Sequence, residues 1–357
     1  MAAQRSVAVI GAGLAGLTLA AGLQAAGRTV QVFDKSRGPG GRCATRRSAA
    51  GRFDHGAPLI QARHPDFITA LNAWADQGWL APVDTGLGGP GWIGVPSMNS
   101  WLQQLSQGLA IHTEHRIAAL HHSPMGWHLK GLDGKPVNEP FEAVLLALPA
   151  EQAAALLATA TAPNEPPLPL AESLKTLSSD PCWTVMAAWP AELPLALAHW
   201  QGSNALGPLG SAWRQDPRPG RQAEPGVPSR WVLHATAAWS AQNLDARPEA
   251  VVQRLLDALA ELSGSRLARP SWATAHRWRY AQLSTPLPAD CAWDEALQLG
   301  SCGDAWSGQA TTDGLPARGL ERAWLSARAL VKALTNPASG PPPSPPVTTG
   351  SATAPAP

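Results

Sequence analysis

Tyrosine is nearly missing from this chain: Tyr280 is the only one in 357 residues, beside sixteen tryptophans and four phenylalanines. A cage of paired tyrosines is therefore excluded, and most of the indoles are expected in cores or domain interfaces. Charge is also scarce, at 15% of residues, against about 25% in an average soluble protein. A net charge of +1 provides no field that would draw the chain to nucleic acid or an anionic membrane. Cysteines stand only at 43, 182, 291 and 302, with no CxxC pair and no disulfide framework. The apolar stretch Val144–Ala160 is broken by Pro149, Glu151 and Gln152, short of the roughly 20 residues that span a bilayer. The start of the chain lacks the succession of basic stretch, apolar run and cleavage site that marks a leader. These absences lead us to expect a cytoplasmic protein with no membrane or nucleic-acid partner. No metal is expected either. His112, His115, His121 and His122 lie on strand-like segments without a cysteine or carboxylate pattern, as edge residues do.

What is present begins with a βαβ pattern. Arg5–Ile10 predicts a buried strand, Leu14–Ala26 a helix closed by Gly27, and Thr29–Phe33 a second, β-branched strand. Loop chemistry follows from Lys35 to Gly56, then a helix over Pro65–Gly78. Ile111–Leu120 and Gly126–Leu132 alternate as a hairpin would, and Phe141–Leu148 reads as a buried strand. Short strands rich in Pro and Trp fill 163–288, and Leu320–Leu334 is a closing helix. Apart from Asn336 and Val347, residues 336–357 are Pro, Ala, Ser, Thr and Gly with no charge, a composition that predicts a disordered tail.

Within the first unit, Gly11-Ala12-Gly13-Leu14-Ala15-Gly16 sits after a strand and before a helix. Gly11 permits the tight turn, Gly13 lets the backbone approach a pyrophosphate, and Gly16 lets helix and strand pack closely. The helix N-terminus offers free N–H groups to phosphates. Asp34 ends the second strand, where a carboxylate accepts from a ribose hydroxyl. This unit alone is compatible with NAD or FAD.

The continuation Lys35-Ser36-Arg37-Gly38-Pro39-Gly40-Gly41-Arg42 resembles the signature that follows the second strand in flavoproteins of the amine-oxidase superfamily. Asp54-His55-Gly56-Ala57, Arg116-Ile117, Ala147-Leu148-Pro149-Ala150, Cys302-Gly303-Asp304 and Glu321-Arg322-Ala323-Trp324-Leu325-Ser326 resemble later segments of the same superfamily. The resemblance implies non-covalent FAD. It assigns the cofactor to Gly11, Gly13, Leu14, Ala15, Gly16, Asp34, Lys35, Arg37, Gly40, Gly41, Arg42, Gly56, Ala57, Ile117, Gly303, Asp304, Glu321, Ala323 and Trp324. Arg42 is expected to place its guanidinium fork on the diphosphate, and the last helix to aim its N-terminal dipole at the flavin. The implied fold class is α/β: a Rossmann-type FAD-binding domain with a discontinuous α+β substrate domain containing a mixed or antiparallel sheet. The FAD domain is expected over 1–60, 98–162 and 290–335, and the substrate domain over 61–97 and 163–289.

Segments of the second domain narrow the resemblance. Trp231–Thr236, Trp239–Asp245 and Ala275–Ala281 make the chain similar to bacterial renalases. That likeness implies a small-molecule oxidase. Hydride would pass from 2- or 6-dihydro-NAD(P) to FAD, and O2 would be reduced to hydrogen peroxide. No catalytic acid or base is required beyond the flavin, because the protein's task is to position cofactor and substrate. Trp92, His234, His276, Arg279 and Tyr280 are the substrate-pocket candidates; monomer and homodimer are both compatible. The chain departs from the family at Pro58-Leu59, at a long connection over 305–320, and at Arg322 and Ala327, where small glycines are expected. A flavin amine oxidase and a non-catalytic FAD-binding protein are the competing readings.

Overall fold

The computed structural model describes residues 6–84, 90–132, 136–160, 167–195, 198–202, 207–216, 218–221, 226–264, 266–307 and 317–335. The tail and most of the 305–320 connection lie outside the described residues.

The short apolar strand Val7–Ile10 is buried along its whole length, as a strand covered on both faces must be. It pairs in parallel with Val30–Phe33 on one side and Ala143–Leu146 on the other. Leu299–Ser301 adds in parallel beyond Ala143–Leu146, and Ala110–His112 beyond Val30–Phe33. Ala292–Asp294 closes one edge antiparallel, completing a six-stranded sheet. Successive strands step outward from Val7–Ile10 in one direction, after which the chain returns to its other side. The point where that order reverses lies between Ile10 and Leu146, where such sheets bind ligands at the strands' C-terminal ends. Helices Leu14–Ala25 and Gly319–Thr335 cover one face, and Trp127, Phe141, Trp306 and helix Ala150–Leu157 cover the other.

A second, antiparallel sheet runs in the order His199–Gln201, Leu209–Arg214, Ser229–Ala235, Asp180–Trp189, Trp272–Gln282. Side chains alternate between its faces. Trp183, Val185, Ala187, Trp189, Trp231 and Leu233 pack under helix Pro248–Ser263. Met186, Ala188 and Val232 point the other way, onto Phe53 of the hairpin formed by Thr45–Ser48 and Gly51–Asp54. Several tryptophans are core residues with satisfied N–H groups: Trp183 donates to Asn243 O at 2.9 Å, Trp189 to Ala268 O at 2.8 Å, Trp127 to Leu297 O at 2.7 Å; buried Trp101 Nε1 has no hydrogen-bond partner among the described residues.

The hairpin expected from Ile111–Leu120 and Gly126–Leu132 forms within a three-stranded sheet, but its first strand divides. Ala110–His112 joins the parallel sheet, a turn with Glu114 at φ 58° follows, and Ile117–Ser123 pairs with Gly126–Gly131. The turn is fixed because His115 N–H donates to Asp34 O at 2.9 Å and Glu114 N–H to Ser36 O at 2.9 Å. Alternation across 111–120 looks continuous because both pieces are strands. Among the described residues no helix is long and apolar enough to cross a membrane, and no group of three His, Cys, Asp or Glu is placed to hold a metal.

Candidate active site

The turn at the sheet's reversal point is built from backbone. Gly11 has φ 109° and donates to Phe33 O; a Cβ there would stand 2.4 Å from Ala147 O. A Cβ on Gly16 would stand 1.8 Å from Gly11 O, so both positions exclude any side chain. Gly13 differs, because its nearest neighbour to an added Cβ is Gly41 Cα at 3.9 Å. Among the described residues nothing fills the space over Gly13, which is what a phosphate needs. The first helical bond runs from Leu17 N–H to Gly13 O, so the N–H groups of Leu14, Ala15 and Gly16 precede any helical acceptor. Asp34 accepts from Ala12 N–H at 2.6 Å and Ser36 N–H at 2.7 Å. About four acceptor positions on an ionised carboxylate leave room for a ribose hydroxyl as well. Lys35 reaches Gln152 Oε1 at 3.3 Å, and Arg37 is exposed.

The turn Gly40–Arg42 closes over this cradle. Gly40 N–H donates to Ala12 O, and Gly41 takes φ 51° with its Cα against Gly13. Arg42 carries its fork elsewhere than the sequence suggests: Nη1 and Nη2 each reach an oxygen of Asp304 at 2.6 Å, and Nη1 also reaches Ala281 O at 3.2 Å. Burial opposes charge on Asp304, but the Arg42 guanidinium holds its carboxyl below the usual range. The next backbone layer rests on Arg42 O, which accepts Ala57 N–H at 2.8 Å; a Cβ on Gly56 would stand 2.0 Å from that oxygen. Gly303 N–H donates to Ser326 Oγ at 3.1 Å, tying the strand end to the closing helix.

Several expected cofactor residues serve the fold through their side chains. Glu321 is buried and accepts Arg63 N–H at 2.6 Å and His64 N–H at 2.7 Å through one oxygen. Trp324 packs on Phe67 with ring centroids 5.2 Å apart, Ala323 is buried beside it, and Ile117 sits in the cluster around Phe33.

Beyond Gly56 lies the exposed-edge side of the antiparallel sheet, and here histidines gather. His234 Nε2 donates to Gly56 O at 3.0 Å, which leaves Nδ1 as the acceptor facing Ser211 Oγ at 3.4 Å. Burial pushes its pKa down to about 4. The His55 ring stands edge-on to His276 at 4.9 Å and tilted against Trp278 at 5.2 Å. Trp278 Nε1–H donates to His55 O at 2.9 Å. Burial, then the nearby His276 and Arg46, push His55 down to about 3, and its Nδ1 is buried without a partner. Burial and Arg46 lower His276 as well.

His234 and His276 are thus brought together beside Gly56, whereas Arg279 and Trp92 are not. Arg279 is half exposed on the opposite face of its strand, with Nη2 3.6 Å from Asp245. Strand alternation separates it from His276. Trp92 is 3% exposed within the core of a small three-stranded sheet. Tyr280 is partly buried where the strand's register shifts. The sequence reading missed His55 and Trp278 as site residues, although His55 lies inside the quoted Asp54–Ala57 segment and Trp278 two residues from His276. It also passed over Arg322 as a contact.

The residues at the reversal point fit FAD: a backbone cradle open over Gly13, three unused helix N–H groups and a carboxylate with spare acceptor positions. The family comparisons agree. Residues 9–74 match the NAD(P)-binding Rossmann-like domain, and residues 80–334 match the model for flavin containing amine oxidoreductases. Among solved structures, a candidate protoporphyrinogen oxidase from Exiguobacterium sp. 255-15 superposes with a TM-score of 0.70 at 14% identity, covering 93% of this chain and 99% of that one. An oxidoreductase from Methanosarcina mazei gives 0.65 at 16% identity, covering 92% and 100%. Cyclohexylamine oxidase from Brevibacterium oxydans gives 0.61 at 12% identity, covering 93% and 99%. At such identities these likenesses concern the fold, whereas the family match spans most of the chain. The protein belongs to the flavin-containing amine oxidoreductases and is an FAD-dependent oxidoreductase of that family.

Proposed function

We propose that this protein is a renalase-like oxidase acting on 2- and 6-dihydro-NAD(P), with Arg46 and the His55–His276–Trp278 group forming the substrate wall. The observation that carries the reading is the charge of that wall. Its histidines are held neutral, the charge that acts on both His55 and His276 is the Arg46 guanidinium, and the neighbouring carboxylate of Asp54 is already committed. Asp54 is buried and accepts Thr45 Oγ1–H at 2.6 Å, Met98 N–H at 3.1 Å and the Arg221 guanidinium. A dihydronicotinamide dinucleotide is anionic and carries a flat ring; it gains from a cation at the rim and an indole face in the wall. An alkylammonium substrate would meet Arg46 with no free acid to offset it.

FAD, when bound, accepts the hydride and passes two electrons to O2, so that dihydro-NAD(P), O2 and one proton give NAD(P)+ and hydrogen peroxide. The chain's residues orient and exclude water. His234 fixes the Gly56–Ala57 backbone through Gly56 O, and Trp278 holds the His55 carbonyl from the other side. No proton leaves carbon in the hydride step, so neutral histidines need neither gain nor lose one.

One observation favours a different substrate. The family model that spans residues 80–334 is that of flavin containing amine oxidoreductases, which makes an amine the competing substrate. The two readings separate by anaerobic mixing of the FAD-loaded protein with 2- and 6-dihydro-NAD, and in parallel with primary amines and polyamines. Bleaching of the flavin band by the dihydronucleotides alone is the expected result. Bleaching by an amine alone would overturn the proposal, and bleaching by neither would indicate a non-catalytic flavoprotein.

A further inference from the structure

Three charged side chains converge where strand Leu299–Ser301 ends and the closing helix begins. Arg42 gives both terminal nitrogens to the two oxygens of Asp304, so one carboxylate is matched to one guanidinium. The third, Arg322, is 3% exposed. Its Nη2 donates to Leu283 O, while Nε is buried with no hydrogen-bond partner among the described residues. Both arginines reach the same stretch of chain, Arg42 at Ala281 O and Arg322 at Leu283 O. Arg318 lies close enough to add its own positive field, while Asp304 is the acid that offsets it.

Counted as formal charges, Arg42, Asp304 and Arg322 sum to +1 in a place largely closed to water. A buried cation without an anion is unfavourable. Shape does not demand it either, since the helix residues beside it are the small Ala323, Ser326 and Ala327. The group is joined through the Arg42 backbone to Gly41, whose Cα lies against Gly13, the glycine with open space above it. The missing negative charge therefore belongs next to this cradle, where FAD brings a diphosphate. We propose that Arg322 is a cofactor-binding residue, a second buried cation beside Arg42 whose charge is neutralised by the diphosphate of FAD.

Titration of FAD-depleted full-length protein tests this, using Arg322→Met and Arg322→Lys. Arg322→Met is expected to weaken FAD by about 10- to 100-fold, the range for losing one charge-assisted hydrogen bond. Riboflavin, which lacks the diphosphate, should bind the variant and the unaltered protein alike, and the melting temperature of the FAD-depleted form should hold or rise. Arg322→Lys keeps the charge without the Nε donor and should recover part of the affinity. Unchanged FAD affinity together with a lower melting temperature would make Arg322 a structural residue. Equal losses for FAD and riboflavin would move its contact to the ring or ribityl chain. Either result overturns the proposal. Should Arg322→Met fail to fold, Arg322→Gln takes its place, and unaltered FAD affinity in that uncharged variant overturns the proposal as well.

Discussion

Gly13 and Gly16 belong to one turn yet are glycines for different reasons, and replacing each by alanine separates them. A methyl on Gly16 would stand 1.8 Å from Gly11 O, with the Gly11 carbonyl carbon at 3.0 Å. The obstacle is backbone and cannot rotate away. Overpacking of this kind costs about 1–3 kcal/mol even where side chains can yield, and an obstacle of backbone puts the cost at or above the top of that range, so Gly16→Ala should lower the melting temperature of the FAD-free protein by roughly 4 °C or more. A methyl on Gly13 meets nothing nearer than 3.9 Å, and φ −79°, ψ −177° is ordinary extended backbone for alanine. Loss of a glycine at the N-cap costs a few tenths of a kcal/mol, and the reduced freedom of the unfolded chain returns a similar amount. The FAD-free Gly13→Ala protein should therefore melt within about 2 °C of the unaltered one. Its methyl, however, occupies the space we assign to the diphosphate. FAD affinity should fall at least about tenfold, or ~1.4 kcal/mol. Calorimetric titration of FAD and differential scanning of both variants provide the comparison. If Gly13→Ala binds FAD normally, or melts as low as Gly16→Ala, the account of the cradle fails.

Other perturbations test other parts of the site. Asp304→Asn leaves Arg42 without its carboxylate and beside a second buried cation; breaking a buried pair costs about 3–5 kcal/mol, so urea should unfold the FAD-free variant at a clearly lower concentration. An unchanged midpoint would show that the pair contributes nothing. The folded pKa of His55, about 3, lies below the ~6.5 of an unfolded histidine. The unfolded chain then binds more protons, so stability is fully present above pH 6.5 and falls as pH drops toward 3. At pH 5 the loss from His55 alone is about 2 kcal/mol, and His55→Gln should flatten the pH dependence of the melting temperature between 7 and 5. Arg279→Ala, on the far face of its strand, should leave the rate of flavin reduction by a dihydronucleotide within about twofold, the scale of a surface substitution of ±0.5 kcal/mol. A tenfold loss would place Arg279 in the pocket after all.

The legible part of this molecule is the part made by backbone. Gly11, Gly13 and Gly16 announce the turn because no other residue fits the approach of Gly11 to Ala147 and of Gly16 to Gly11. The pattern of short apolar runs announces strands that are covered on both faces. The two sheets and the closing helix follow from those runs and their punctuation, whereas the hairpin at Thr45–Asp54 lies inside the stretch from Lys35 to Gly56 whose composition reads as loop. Side-chain destinations were less legible. Arg42 sits in a motif that suggests a phosphate contact, but its fork finds Asp304, 262 residues away. Glu321 opens the last helix, yet its carboxylate holds the Arg63–His64 backbone. Both partners are set by tertiary approach, which local pattern does not encode. The split of Ile111–Leu120 escaped for a related reason, since alternation persists across a turn fixed by Asp34 and Ser36.

The same division explains where the chemistry is specified. The cofactor half relies on N–H groups, carbonyls and absent Cβ atoms, which few substitutions can supply and which therefore look alike across flavoproteins. The proposed substrate wall relies on a few side chains, His55, His234, His276 and Trp278, carried by one loop and the two strands that flank Asp180–Trp189. His234 couples the halves, because its Nε2 bonds Gly56 O while a Cβ on Gly56 would collide with Arg42 O. Moving the antiparallel sheet by the length of one hydrogen bond would thus shift the segment expected to run beside the flavin. On the proposed reading, substrate choice follows from how that sheet seats on Gly56, and changes to its outer face at Arg277 or Arg279 are expected to leave it unaltered.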